Sequence, residues 1–530
     1  MVSIMLFTRG LRIADNTALN AIVRTGTLPI LPVFVFTPEQ ADAERNKYFS
    51  GAAFRYMVET LEELDADLAA LGGRLYTFRG DTVEVLERIR KTLAGAGTPV
   101  EAVYENLDIT PYARERSARI AKWAAGAAGG AGAGVKYVGF QDVDLVPMER
   151  GRMGASESFA KLAPMYSVFT AYWRNMVARE LPCMEPLTVL PLKRKNVGVW
   201  ATPTAGMLKG AAGVLPAMRE LARSAIVPPE DYASSLSGYA NPGGRREAVR
   251  RLKAFVAAGK MAAYGAERDF PARPATSRLS AAIRFGVLSV REVAWAAAES
   301  DSAAGWKSDW IRELVWRSFY YHWMWDRPEL LKTSFHAAYD RVAWKITRES
   351  DAGFQRFARG ETGFPLIDAG VRELTATGWS HNRIRMMLAT FVVKGLRADW
   401  RVGERWMARL LRDHDVVSNA MGWQWGHSAA PSAQPYFRVM SPWAQSKRFD
   451  ADAEYIKRWV PELAAVAARD IHRWGEEKIR EKYATAPASE SAGEAGTGAG
   501  TGAGYPAPMF DWKTAATEAI AAYRAANAAV

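Results

Sequence analysis

The chain has 530 residues, 49% of them hydrophobic and 24% charged. That length predicts about two to four domains, each with its own core. The composition excludes a mainly disordered chain, and the single cysteine, Cys183, excludes an intrachain disulfide scaffold. The 69 Lys and Arg against 57 Asp and Glu leave +12, which suits a polyanionic partner and equally suits an Arg-rich composition without one.

Residues 3–7 form a short apolar run, and Asp15 is the expected cap of a helix reaching Ile22. Ile30–Phe36 is rich in β-formers, and residues 54–71 place Met57, Leu61, Leu64, Leu68 and Leu71 at helical spacing. Residues 75–78, 102–104 and 136–138 read as strands between helices. This alternation predicts a doubly wound parallel α/β domain over residues 1–145. No GxGxxG or GxxxxGK[ST] follows a strand, so a dinucleotide or P-loop site of the usual kind is not expected. AAGAAGGAGAG, residues 124–134, reads as a low-complexity surface loop.

Residues 146–224 carry many prolines and few clean periods, and they read as an inter-domain connector. Residues 225–484 are helical in pattern almost throughout, with helices expected over 246–257, 290–298, 309–325, 368–377, 379–396 and 403–411. Residues 485–504 are a Gly/Ala-rich linker, and residues 505–530 a final helical segment centred on 512–526. No apolar run is long enough to span a bilayer, and MVSIMLFTRGLR lacks the basic start of a signal peptide. A soluble intracellular protein, in cytoplasm or nucleus, is the expectation.

Four clusters in the helical half carry chemistry. TSRLS (Thr276, Ser277, Arg278, Leu279, Ser280) precedes a helical run, where unpaired amides and hydroxyls suit a phosphate or simply cap the helix. In ELVWR, Glu313 and Arg317 are four apart, the spacing of a surface ion pair, with Trp310 and Trp316 nearby. In TGWSHNRIRMM, Asn382, Arg383, Arg385 and Met386 mix donors with a thioether, beside a lone His381. In RDHDVVSNAMGWQWG, Asp413 and Asp415 are two apart and suit one face of an extended turn, as in a paired-carboxylate hydrolase. The remaining histidines, His322, His336, His414, His427 and His472, lack metal-ligand spacing, so no metal is expected. Of the 19 tryptophans, only Trp123, Trp173 and Trp200 lie before residue 290. The indoles belong to the helical half, as core or as chemistry.

In this order, TSRLS, ELVWRSFYYH, TGWSHNRIRMM, DHDVVSNAMGWQW, PYFRVMSP and YIKRWVPEL resemble the photolyase/cryptochrome flavoproteins. TRGLRIADNTAL resembles that family's opening strand–turn–helix. The likeness spans nearly the whole chain except the Gly/Ala insertions. It is strongest to class I enzymes that repair cyclobutane pyrimidine dimers (CPDs), because Asn382 and Met386 stand where a (6-4) enzyme has histidines.

The resemblance implies a buried, non-covalent FAD. Tyr264, Trp310 and the turn from Thr276 to Ser280, with Arg278, would hold it. Arg385 and Asp413 would pair over its ring system, Asp415 would lie near the ribose–adenine side, and Asn419 would meet the reactive ring nitrogen. Trp316 and Trp425 would wall a flipped-out dimer, as photolyases extrude their target from the duplex. Glu313 and Asn382 would bond its polar edges and Met386 would pack on it. Arg268, Arg317, Arg383, Arg438, Gln445 and Lys447 would form a phosphate rim on DNA containing pyrimidine dimers. Trp423, Trp400 and Trp344 match an electron-hopping chain to the surface. A monomer is implied.

Some positions depart from the family pattern. Ala420 and Met421 stand where asparagine and glycine are common, and Ser441 where asparagine is common. Thr110, in ENLDITPYAR, stands where a folate-binding enzyme has glutamate, which leaves a folate antenna, a deazaflavin antenna or none. Two rival functions remain open at this level. One is a blue-light cryptochrome signalling through protein partners. The other is a nucleotide-binding α/β protein joined to a helical DNA-binding module.

Overall fold

The computed structural model describes residues 1–25, 29–126, 134–145, 166–181, 242–257, 259–301, 303–431, 437, 439–484 and 504–528. Five strands, β1 (Val2–Phe7), β2 (Ile30–Phe36), β3 (Tyr76–Arg79), β4 (Val100–Leu107) and β5 (Lys136–Gln141), form one parallel sheet in the order β3-β2-β1-β4-β5. β2 (ILPVFVF) is buried at every position, as a strand covered by helices on both faces must be. The winding reverses between β1 and β4, which opens a crevice at their carboxyl ends.

The first helix, Thr17–Thr25, is capped by Asn16, whose Oδ1 accepts from Leu19 N at 3.0 Å. The expected cap, Asp15, is one residue off. It takes φ 47° and pairs with Arg291 at 3.0 Å, because a buried carboxylate needs a cation more than a helix needs that cap. Helix Pro111–Gly126 runs into the low-complexity stretch, since alanine favours helix; residues 127–133 of that expected loop lie outside the described residues.

Most of the expected connector also lies outside the described residues, as does the linker up to residue 503. The part that is described is no loose connection. Helix Phe169–Asn175 and the π-turn Met176–Glu180 bury Phe169, Tyr172 and Met176 in the same core as the helix Asp309–Asp326.

The rest is helical, with one isolated parallel bridge, Ile346 to Ala398, among the described residues. The expected helix over 379–396 is shorter. His381 Nδ1 accepts from Arg383 N at 3.1 Å and caps a helix Asn382–Thr390, which ends in a π-turn, Phe391–Gly395. Among the described residues no helix is long and apolar enough to cross a membrane.

Buried charge joins the sheet to the helices. Asp142 accepts from Arg12 at 2.7 Å and from Arg291 at 2.8 Å, and the backbones meet at Leu11 N to Phe285 O, 3.1 Å. Gly286, at φ 63°, allows this approach: a Cβ there would lie 2.5 Å from Gly10 Cα. Burial alone pushes the Asp142 carboxyl up; Arg12 and then Arg291 outweigh it and hold it below the usual carboxylate range.

A carboxyl depressed in the fold stabilises above its unfolded value and loses that contribution as pH falls below about 4. Asp142→Asn should therefore cost about 3–5 kcal/mol at neutral pH, because two buried guanidinium groups lose a shared carboxylate and Arg291 keeps only Asp15. The variant's urea midpoint should converge on the wild-type value in acid. A neutral-pH midpoint equal to wild type would refute the assignment.

Candidate functional site

Helices Asn382–Thr390, Trp400–Leu410 and Val416–Gly426 pack side by side and bring the third and fourth motifs together. Arg385 Nη2 donates to both oxygens of Asp413, at 3.0 and 2.7 Å, and its Nε donates to Ser380 O at 2.9 Å. Burial pushes the Asp413 carboxyl up, but Arg385 and the Ser280 hydroxyl hold it low. Asp413 and Asp415 share no face. Asp415 turns to the α/β domain, where Arg9 donates at 2.8 Å and Tyr321 O–H also donates, while its other oxygen caps Ser418 N at 2.9 Å. Each carboxylate has its own cation, so the two do not work as one pair. Both oxygens of Asp415 are engaged by protein, which makes it an inter-domain latch.

Asn419 is nearly buried. Its Nδ2 donates to Glu404 Oε1 at 2.7 Å and to Glu404 O at 3.0 Å. Among the described residues, no hydrogen bond reaches Asn419 Oδ1 or Arg385 Nη1. In the TSRLS stretch, the helix starts at Ser280 with Leu279 at the cap position and no side-chain cap. The capping alternative for that motif therefore fails. Arg278 takes φ 53° and lies over Trp379 at 4.1 Å, and Thr276 and Ser277 are half-buried. Spare hydroxyls, a spare guanidinium N–H and a spare amide oxygen beside a neutralised carboxylate fit a cofactor with phosphates and a ring that presents both donors and acceptors.

A second cluster lies on helix Asp309–Asp326. Glu313 pairs with Arg268, not with Arg317, and Arg268 also covers the ring of Tyr264 at 5.6 Å. The helix spacing of Glu313 and Arg317 yields to tertiary partners. Arg317 donates to Val143 O at 2.7 Å and lies over Tyr321 at 4.0 Å, which ties it to the domain joint. One face of Trp316 is taken by Phe169, stacked at 3.5 Å and 7°. Only its opposite face can meet a ligand. Trp310 is buried against Phe255 at 6.1 Å. Asn382 is exposed, 3.9 Å from Met386 Sδ. Arg383 pairs with Asp269 at 2.6 Å, Lys447 is exposed, and Gln445 Oε1 is buried without a partner. Trp425 is half-buried. Arg438 lies outside the described residues.

Trp423 and Trp400 are both 1% exposed, and their indole N–H groups lack acceptors among the described residues. Trp344 is half-buried.

Residues 3–191 match the family described as DNA photolyase, and residues 310–525 match the FAD binding domain of DNA photolyase. A deoxyribodipyrimidine photo-lyase of Salmonella typhimurium is 32% identical and covers 98% of each chain. The chain belongs to the DNA photolyase family. A bacterial class III photolyase from Agrobacterium tumefaciens has TM-score 0.76 at 29% identity, covering 99% of this chain and 97% of that one. An archaeal photolyase from Sulfolobus tokodaii, solved with two FAD molecules, has TM-score 0.71 at 27% identity over 99% and 100%.

This photolyase-family chain also has a cavity between its two halves. The cavity, of 510 Å³, opens at the β1–β4 crevice, lined among others by Thr8, Asp108, Thr110, Tyr112, Arg116 and Glu404. Glu404 therefore touches both this cavity and Asn419. It was not singled out above, although a glutamate among Val402, Gly403, Trp406 and Met407 is a charge on an apolar helix face. Burial, opposed by Asn419 and Tyr48, pushes its carboxyl up to about 7.

A carboxyl raised in the fold stabilises below its unfolded value, and that contribution is lost as pH rises through the folded one. Glutamine stays neutral, so Glu404→Gln should gain on wild type between about pH 5 and 8 by about 3 kcal/mol in urea unfolding. A pH-independent difference would show that Glu404 ionises freely.

Proposed function

We propose that this protein is a light-driven DNA repair lyase that splits cyclobutane pyrimidine dimers with reduced FAD. The observation that carries the reading is the pairing of the Arg385–Asp413–Asn419 constellation with the Glu313–Trp316 cluster on adjacent helices, in a chain of this family. Bound reduced FAD supplies one electron under light and receives it back, with no net redox change.

The chain does the rest. Arg385 and Asp413 hold the ring system, and the turn around Arg278 holds the phosphates. Asn419 keeps its Nδ2 on Glu404 and offers Oδ1, an acceptor suited to a ring N–H. The free face of Trp316, with Trp425, stacks the extruded dimer, worth about 1–3 kcal/mol per base. Glu313 and Asn382 take its polar edges, Met386 packs on it, and the absence of a second histidine at Asn382 favours the cyclobutane over the (6-4) lesion. Arg268, Arg383, Gln445 and Lys447 approach the phosphates. Trp423, Trp400 and Trp344 carry electrons inward to reload the reduced state. The domain limits are 1–145, 146–224, 225–484, 485–504 and 505–530. The β1–β4 cavity takes an antenna chromophore. Thr110 on its wall leaves out the carboxylate of a folate site and favours a flavin- or deazaflavin-type ring.

The test is purified FAD-loaded protein, reductant and blue light with a thymine-dimer oligonucleotide. Light-dependent loss of dimer is expected. No loss in single- or double-stranded substrate would overturn the reading. Glu313→Ala should slow repair about 10²-fold or more while retaining FAD; equal loss of both would make it a structural residue. Trp423→Phe should abolish photoreduction and spare repair by chemically reduced enzyme.

A further inference from the structure

His427 entered the sequence reading only as a histidine without metal-ligand spacing. The fold puts it in the middle of the indole route. It is 0% exposed, stacked near Trp400 (6.5 Å, 23°) and tilted against Trp344 (5.3 Å). Its Nδ1 is hydrogen-bonded to the hydroxyl of Tyr523, from the C-terminal helix Trp512–Ala528. Tyr523 is itself 3% exposed and 6.3 Å from Trp344.

The other side of the imidazole fixes the tautomer. Nε2 meets Ser334 Oγ at 3.2 Å, and that hydroxyl donates to Asp340 Oδ1 at 2.9 Å. Asp340 is anchored by Ser334 N at 3.0 Å and by Arg401 at 2.6 Å. With its hydrogen committed to Asp340, Ser334 can only accept, so Nε2 carries the proton and Nδ1 is a free base facing the phenol. Burial, then Lys394, Arg401 and His336, hold the imidazole well below its usual range, and it is neutral at rest. Burial, with Tyr339 and Asp399, pushes the Tyr523 phenol well up, so it keeps its proton.

We propose that His427 is the proton acceptor that makes Tyr523 the terminal electron donor behind Trp344 and Trp400. The proposal rests on the reading of Trp423, Trp400 and Trp344 as an electron route. When an electron leaves Trp344 inward, its indole is left as a radical cation. One electron then passes from Tyr523 to that indole, and the phenolic proton passes to His427 Nδ1. The products are neutral tryptophan, a neutral tyrosyl radical and imidazolium. Positive charge moves from indole to imidazole, with Asp340 behind Ser334 to offset it. A thiolate from solution returns the electron, leaving a thiyl radical, and the proton goes back from Nδ1 to the phenolic oxygen. Parking the hole on a neutral radical slows charge return to the flavin.

The test uses full-length FAD-loaded protein, illuminated with oxidised flavin and read by transient absorption and electron paramagnetic resonance. Wild type should give a tryptophanyl signal that decays into a tyrosyl one, more slowly in D₂O. Tyr523→Phe, which keeps the ring, should stop at tryptophan. His427→Gln, which bonds but is not basic, should slow tyrosyl formation about a hundredfold with FAD content unchanged. A tyrosyl signal undiminished in His427→Gln, or tryptophanyl without tyrosyl in wild type, would overturn the proposal and leave the indole route standing. No tryptophanyl signal in wild type, and no effect of Trp423→Phe, would overturn both. In flavin-free protein, nitrogen-15 shifts should give the Nε2–H tautomer of His427; the Nδ1–H tautomer would overturn the assignment.

Discussion

Two carboxylates two residues apart, Asp413 and Asp415, organise this molecule by turning in different directions. A buried carboxylate is tolerated only beside a cation. Asp413 takes Arg385 from the neighbouring helix, and Asp415 takes Arg9 from the α/β domain. One pair builds the floor of the proposed flavin site. The other locks the sheet's β1–β4 crevice against the helical domain and caps the helix that carries Asn419, Trp423 and Trp425. Placement of the indoles of that helix and of the inter-domain cavity follows from that divergence.

The same helix explains why the chemistry is compact. Asn419 faces Glu404, which borders the cavity, while Trp423 and His427 lie on the side of the indoles and the C-terminal helix. The proposed light-harvesting site, the proposed flavin site and the proposed electron route thus share one eleven-residue helix and its cap. Two buried groups near this helix are neutral instead of paired: Glu404 is pushed towards its neutral form, and His427 is held neutral by burial. Buried charge is gathered in small networks, such as Arg9 between Asp108 and Asp415 and Asp142 between Arg12 and Arg291.

Much was legible from residue order. The β2 span, the parallel alternation and the helix over residues 309–326 follow from local apolar periodicity, which survives folding because those elements face the core along their whole length. The Arg385–Asp413 pair and Asn419 were reachable through motif resemblance. What was misjudged involved partners distant in sequence. Asp15 read as a cap because only its neighbours were visible; Arg291, which claims it, is 276 residues away. Glu313 looked paired with Arg317 because i,i+4 spacing is the only contact a lone helix offers, yet Arg268 and Val143 divide the two.

The sequence by itself determined the two architectures, the family and the set of aromatic and charged side chains available, since these depend on local pattern and composition. Only the tertiary structure decided who neutralises whom. It sent Asp415 to Arg9, set Glu404 behind Asn419, laid Phe169 over one face of Trp316, and drew His427 between Trp400, Trp344 and Tyr523. The physical reason is that burial penalises unpaired polar groups wherever they lie in the chain. Their partners are therefore chosen by packing in space and not by spacing in sequence.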